Sequence, residues 1–134
     1  MLRARPASLP PNVRRTPETN GIPPNPPRHP SERRAARWYR LRAYRILDTN
    51  VWLAGAEIDI VARRGRVVVF CEVKSKGGEA FGDPLEMVDA RKIERVRRAA
   101  SAWLVRHPEL EGLDVRFDVI AERAGRLDHL GDAF

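Results

Sequence analysis

The sequence predicts an α/β fold with the order helix, three strands, helix, strand. Three observations predict it. Glu57-Ile58-Asp59-Ile60-Val61 and Val67-Val68-Val69-Phe70-Cys71 read as two strands joined by a tight turn at Arg64-Gly65. The second of them is apolar on both faces, as expected of a central strand covered on both sides. Asp83-Pro84-Leu85-Glu86 then reads as a helix start, with an N-cap, a proline at the first helical position and a capping-box glutamate.

Taken in order, residues 1–30 hold nine of the eleven prolines, and five arginines against one glutamate. Such a segment cannot bury enough apolar surface to offset its ordering entropy. It reads as a disordered Pro/Arg-rich tail before a domain over 31–134. Ser31 suits the N-cap of a first helix reaching about Arg42, with Ala35, Trp38 and Tyr39 as its buried stripe. Glu32, in the first turn, favours the positive end of that helix. Residues 44–52 read as an edge or second-rank strand packed through Tyr44, Ile46 and Val51, and 53–56 as a loop.

After the central pair, 75–79 reads as a flexible loop. The second helix runs from Asp83 to about Arg106, with Ile93, Val96, Ala100, Trp103 and Leu104 facing the sheet. Residues 115–121 form a last strand, with Val115, Phe117 and Val119 on one face and Asp118 on the other. Residues 125–129 add a short final strand.

Composition narrows the function classes. A chain of 134 residues is one small domain. Its longest apolar run is too short to span a bilayer, and no apolar signal-peptide core is read at the start. Cys71 is the only cysteine, which fits a buried strand residue in a reducing cytoplasm. The three histidines are scattered and show no zinc spacing. The net charge of +7 attracts phosphate backbones, although solvated surface charge gives the same total.

The chemistry gathers at the ends of the central strands. Alternation puts Glu57 and Asp59 on one face, and Glu72 and Lys74 on one face. Aligned, the two strands bring carboxylates and an ammonium to one spot. Crowded carboxylates repel each other unless a cation lies between them, and their hard oxygens suit Mg²⁺. On the second helix, Arg91, Lys92, Arg95, Arg98 and Arg106 cluster beside the apolar face. That face is a phosphate track or an ordinary solvated surface. Lys76 offers a further cation in the loop beside the strand end.

These residues carry a resemblance. Asp59 followed by Glu72-Val73-Lys74 resembles the D…ExK core of the PD-(D/E)XK nuclease superfamily. Gly55…Glu57-Ile58-Asp59-Ile60-Val61, Val69-Phe70-Cys71-Glu72-Val73-Lys74 and Phe81-Gly82-Asp83-Pro84-Leu85-Glu86 resemble the bacterial YraN-like family, itself similar to archaeal Holliday-junction resolvases. Ile58 replaces the superfamily's proline, and Ala56 a usual glycine. The resemblance implies a restriction-endonuclease-like αβββαβ core with a mixed central sheet flanked by helices. It implies Mg²⁺ or Mn²⁺ on Asp59, Glu72 and the Val73 carbonyl, with Lys74 holding water or stabilising phosphate charge. Glu57 is a metal neighbour or an arginine partner. Glu32 matches an accessory acid of the resolvases, with helix capping as the other reading.

The activity so implied is hydrolysis of DNA phosphodiesters, including branched DNA, for which a homodimer would match two equivalent strands. The competing reading is a noncatalytic nucleic-acid-binding or adaptor protein that keeps the nuclease fold.

Overall fold

The computed structural model describes residues 29–76 and 90–134. Residues 1–28 of the tail expected over 1–30, the Phe81-Gly82 block and the helix start at Asp83 lie outside the described residues, as does the side chain of Lys76. The last two residues of that expected tail, His29 and Pro30, begin the first helix instead.

The element order is α1 (Pro30–Leu41), β1 (Arg45–Leu53), β2 (Ala56–Arg64), β3 (Val67–Lys76), α2 (Ala90–Val105), a 3-10 turn (Pro108–Leu110), β4 (Asp114–Arg123) and β5 (Arg126–Leu130). One sheet runs β1-β2-β3-β4-β5 in sequence order. β3 and β4 are parallel and the other neighbours antiparallel. A parallel pair needs a crossover, and α2 lies within it. This is the mixed sheet with flanking helices of the αβββαβ core, with β5 added at the far edge.

Each helix covers one face. Ala35, Ala36 and Tyr39 of α1 pack with Ile60, Ala62, Val69, Cys71 and Ile120. Val96, Ala99, Ala100 and Trp103 of α2 pack with Ile58, Val61, Val68 and Phe70. Successive residues of β3 therefore go to opposite helices, as the doubly apolar run predicts. Among the described residues no helix is long and apolar enough to cross a membrane.

Several local expectations are corrected. The N-cap of α1 is His29 rather than Ser31, because Pro30 takes the first helical position. His29 Nδ1 accepts the Ser31 N–H at 3.2 Å, and Glu32 Oε1 accepts the His29 N–H at 3.3 Å. Strand structure continues through Leu53 and resumes at Ala56, so the expected loop shrinks to Ala54-Gly55, both with positive φ. The β2–β3 turn is Gly65-Arg66, one residue later than expected. Ser75 and Lys76 belong to β3, because the parallel ladder pairs them with Glu122 and Arg123. Val115, near the start of β4, is exposed, whereas Phe117 and Val119 are buried.

Strict alternation also fails in β2. Ile58 packs on the α2 side and Ile60 on the α1 side, although their spacing predicts one face. The change of side falls at Asp59. Opposite it in the β1–β2 register lies Asn50, which has a left-handed φ of 51°. Asn tolerates that conformation better than most residues.

Candidate functional site

β2 and β3 pair as far as Ile60–Cys71 and then part. Beyond that pair the Asp59 side chain replaces a main-chain acceptor: its Oδ2 accepts the Val73 N–H at 2.8 Å. The gap this opens at the sheet end holds two nearly buried carboxylates, Asp59 at 7% exposure and Glu72 at 6%. Burial, followed by the charge of Glu72, pushes the Asp59 carboxyl up to about 8. The Val73 N–H opposes the shift, and Glu32 and Glu57 add to it.

Glu72 is held by two ammonium groups. Lys92 Nζ donates to Glu72 Oε2 at 2.7 Å, and Lys74 Nζ lies 3.2 Å from the same oxygen. Burial works against the Lys92 ammonium, but the hydrogen bond and charge of Glu72 override it and raise its pKa. Glu72 and Lys74 share a face, as their spacing predicts. Lys92 departs from the arginine face of α2 and turns into the site.

Asn50 ties the acids together. Its Nδ2 lies 3.0 Å from Glu32 Oε1 and 3.3 Å from Glu57 Oε2. Glu32 thus combines its two expected roles, capping α1 and approaching the acids. A cavity of about 320 Å³ opens here, lined by Trp52, Glu57, Asp59, Glu72, Lys92 and Arg95 among others. Among the described residues, no three His, Cys, Asp or Glu side chains are grouped to hold a metal.

The remaining basic residues of α2 diverge. Arg95 lines the cavity, whereas Arg91 is simply exposed, as is Arg106, which falls just past the end of α2 at Val105. Arg98 pairs with Glu94 at 3.6 Å across one helical turn, so its charge is partly matched by an acid.

Residues 31–121 match the family model described as "Uncharacterised protein family UPF0102". The chain belongs to this family. It is 40% identical over 104 residues to a UPF0102 protein of Beutenbergia cavernae, covering 74% of this chain and 87% of the relative. A UPF0102 protein of Geobacter sulfurreducens is 43% identical over 105 residues, covering 75% and 80%. One from Rhizobium etli is also 43% identical over 105 residues, covering 78% and 84%. UPF0102 is the YraN family that the motifs resemble.

Sequence reading missed two parts of this UPF0102 site, Asn50 and Trp52. Neither residue type announces such a place by itself. The inward turn of Lys92 had one weak signal. Only three of the chain's 25 basic residues are lysine, and two of them, Lys74 and Lys92, meet on Glu72.

A second buried acid serves the UPF0102 fold instead. Asp118 is fully buried and receives Tyr39 Oη at 2.7 Å and Arg116 Nε at 2.8 Å, with His129 Nε2 also at 2.8 Å. Burial alone would raise its pKa. The hydrogen bonds of His129, Arg116 and Tyr39 outweigh burial and hold it well below the usual carboxylate range. The network joins α1, β4 and β5 on the side of the sheet away from Lys92.

Proposed function

We propose that this protein is a metal-dependent, nuclease-like protein that hydrolyses DNA phosphodiesters, with branched DNA among its substrates. The observation that carries the reading is the meeting of Asp59, Glu72 and Lys74 where β2 and β3 part. In order and spacing they match the D…ExK core.

The donor set fits Mg²⁺ or Mn²⁺. Asp59 and Glu72 supply hard oxygens, and the Val73 carbonyl is a candidate third donor. Two carboxylates are few for a dedicated cage, but Mg²⁺ commonly keeps several waters and takes one or two carboxylates plus substrate phosphate. The repulsion from Glu72, which adds to burial in raising Asp59, is what a cation between the acids would relieve. When bound, the ion would polarise the phosphoryl group and lower the pKa of a water.

The chain's own residues do the rest. Lys74 stabilises charge growing on phosphate or holds the attacking water. Arg95, with Arg91 and Arg98 farther along α2, attracts the backbone. Glu57 and Glu32, linked through Asn50, hold the acid side of the site. Lys76 stands near the strand end as a further candidate phosphate contact. Cytoplasmic DNA and a homodimer that takes two equivalent strands fit this reading.

One observation favours a second reading, a noncatalytic DNA-binding or adaptor protein. Lys92 and Lys74 already neutralise Glu72, as a fixed ion pair would without metal. The deciding experiment is cleavage of linear, flapped and four-way DNA with Mg²⁺, Mn²⁺ or EDTA. Metal-dependent cleavage that is lost in Asp59→Asn and Lys74→Ala supports the nuclease. Binding without cleavage under every condition supports the adaptor.

A further inference from the structure

Trp52 stands apart from the chain's other two tryptophans. Trp103 is buried in the core against α2, with 1% exposure. Trp38 is covered by the Arg42 guanidinium, 3.9 Å from its ring centre, and by the His129 ring at 4.2 Å. Trp52 is 69% exposed. Among the described residues no aromatic ring stacks on it. An indole left in water forgoes a large burial gain, and an exposed aromatic of this kind is informative where it adjoins polar groups.

Its place adds the second observation. Trp52 lies near the end of edge strand β1, paired in register with Glu57. It lines the same cavity as Asp59, Glu72, Lys92 and Arg95. Strand β1 therefore brings an apolar ring to the cavity, and α2 brings cations. A nucleotide has the matching halves, a flat base and an anionic phosphate. The cavity volume of about 320 Å³ is at the low end for small-molecule sites. A volume of that size suits a single nucleotide.

Resting on the nucleic-acid reading above, we propose that Trp52 is a stacking platform for an unpaired base. The site would then take DNA with a single-stranded or unstacked segment beside the phosphate held by Arg95. Bases inside a duplex already cover each other's faces, so only an unpaired base can present one to the indole. The platform selects strand state and not sequence, because every base has a π-face.

The test compares binding of the full-length chain to an oligo-dT strand and to a hairpin duplex of equal phosphate number, in EDTA. Wild type, Trp52→Ala, Trp52→Phe and Arg95→Ala are measured, each with a thermal melt to confirm folding. Trp52→Ala should weaken oligo-dT binding by about 5- to 100-fold, as expected for loss of one stacked base, and leave duplex binding unchanged. Trp52→Phe should recover most of that loss, and Arg95→Ala should weaken both ligands. Equal oligo-dT binding by wild type and Trp52→Ala, or equal losses on both ligands, would overturn the platform while leaving DNA binding intact. A wild type that binds neither ligand would remove the nucleic-acid reading, and the platform with it.

Discussion

Lys92 Nζ and Glu72 Oε2 lie 2.7 Å apart, and this ion pair connects α2 to the end of β3. The Glu72 side chain is 7% exposed and that of Lys92 29%. Hydrogen bonds to charged groups contribute about 1.5–3 kcal/mol, and Lys74 remains to compensate in part. Lys92→Met should therefore destabilise the protein by about 1–2 kcal/mol. If Lys92 competes with a divalent cation for Glu72, the same variant should show a larger Mn²⁺-induced rise in Tm than wild type. An unchanged Mn²⁺ response together with lower stability identifies the pair as purely structural.

Asp59 predicts a pH dependence of the metal-free protein. Its pKa of about 8 lies above the ordinary value of about 3.9 in the unfolded chain. Between those values the folded protein binds more protons, so stability from this group falls as pH rises through that window. Each unit of pKa corresponds to about 1.4 kcal/mol, well within the reach of melts. Asp59→Asn should flatten the decline between pH 5 and 8, equal or exceed wild-type stability at pH 8, and lose any Mn²⁺ effect. A variant clearly less stable at pH 8 would mean that Asp59 serves a buried cation instead.

Asp118 has the opposite sign. Its folded pKa is depressed, so its contribution is present above the unfolded value and lost as pH falls toward the folded one. Asp118→Ala leaves Arg116 beside a vacated partner and should cost about 3–5 kcal/mol in denaturant melts. Asp118→Asn should also remove much of the stability lost on acidification. Cleavage, measured well below the melting temperature, should survive the Asn substitution.

On α2 the arginines should not be equivalent. Arg95→Ala should weaken DNA binding and reduce the salt slope by about one contact. Arg98→Ala should do less, because Glu94 already screens that charge. Both should leave stability within about 0.5 kcal/mol of wild type. Equal, wild-type salt slopes in both variants would make this face an ordinary solvated surface.

Thr49 is fully buried, and its hydroxyl has no hydrogen-bond partner among the described residues. An unsatisfied buried polar group costs about 1–3 kcal/mol, and valine keeps the shape and the strand preference. Thr49→Val should raise stability by about 1 kcal/mol. A lower Tm would show that the hydroxyl finds a partner in solution.

The sequence by itself determined the element order, the central place of β3 and the pairing of Glu72 with Lys74 on one face. Those features follow from period-two and helical spacing, which act over a few neighbouring residues. Only the tertiary structure decided the rest of the site. Lys92 lies at the border of the apolar and basic stripes of α2, and its long stem can serve either. Glu72, 20 positions away, draws it inward. Glu32 and Asn50 are 18 residues apart, and Tyr39 and Asp118 are 79 apart. Such meetings depend on how the helices settle on the sheet, which local spacing does not encode. The left-handed φ of Asn50 and the change of side at Asp59 are likewise not encoded in that spacing. Strict alternation would carry β2 and β3 onward as a regular ladder, and the Asp59 carboxylate ends that ladder by taking the Val73 N–H for itself.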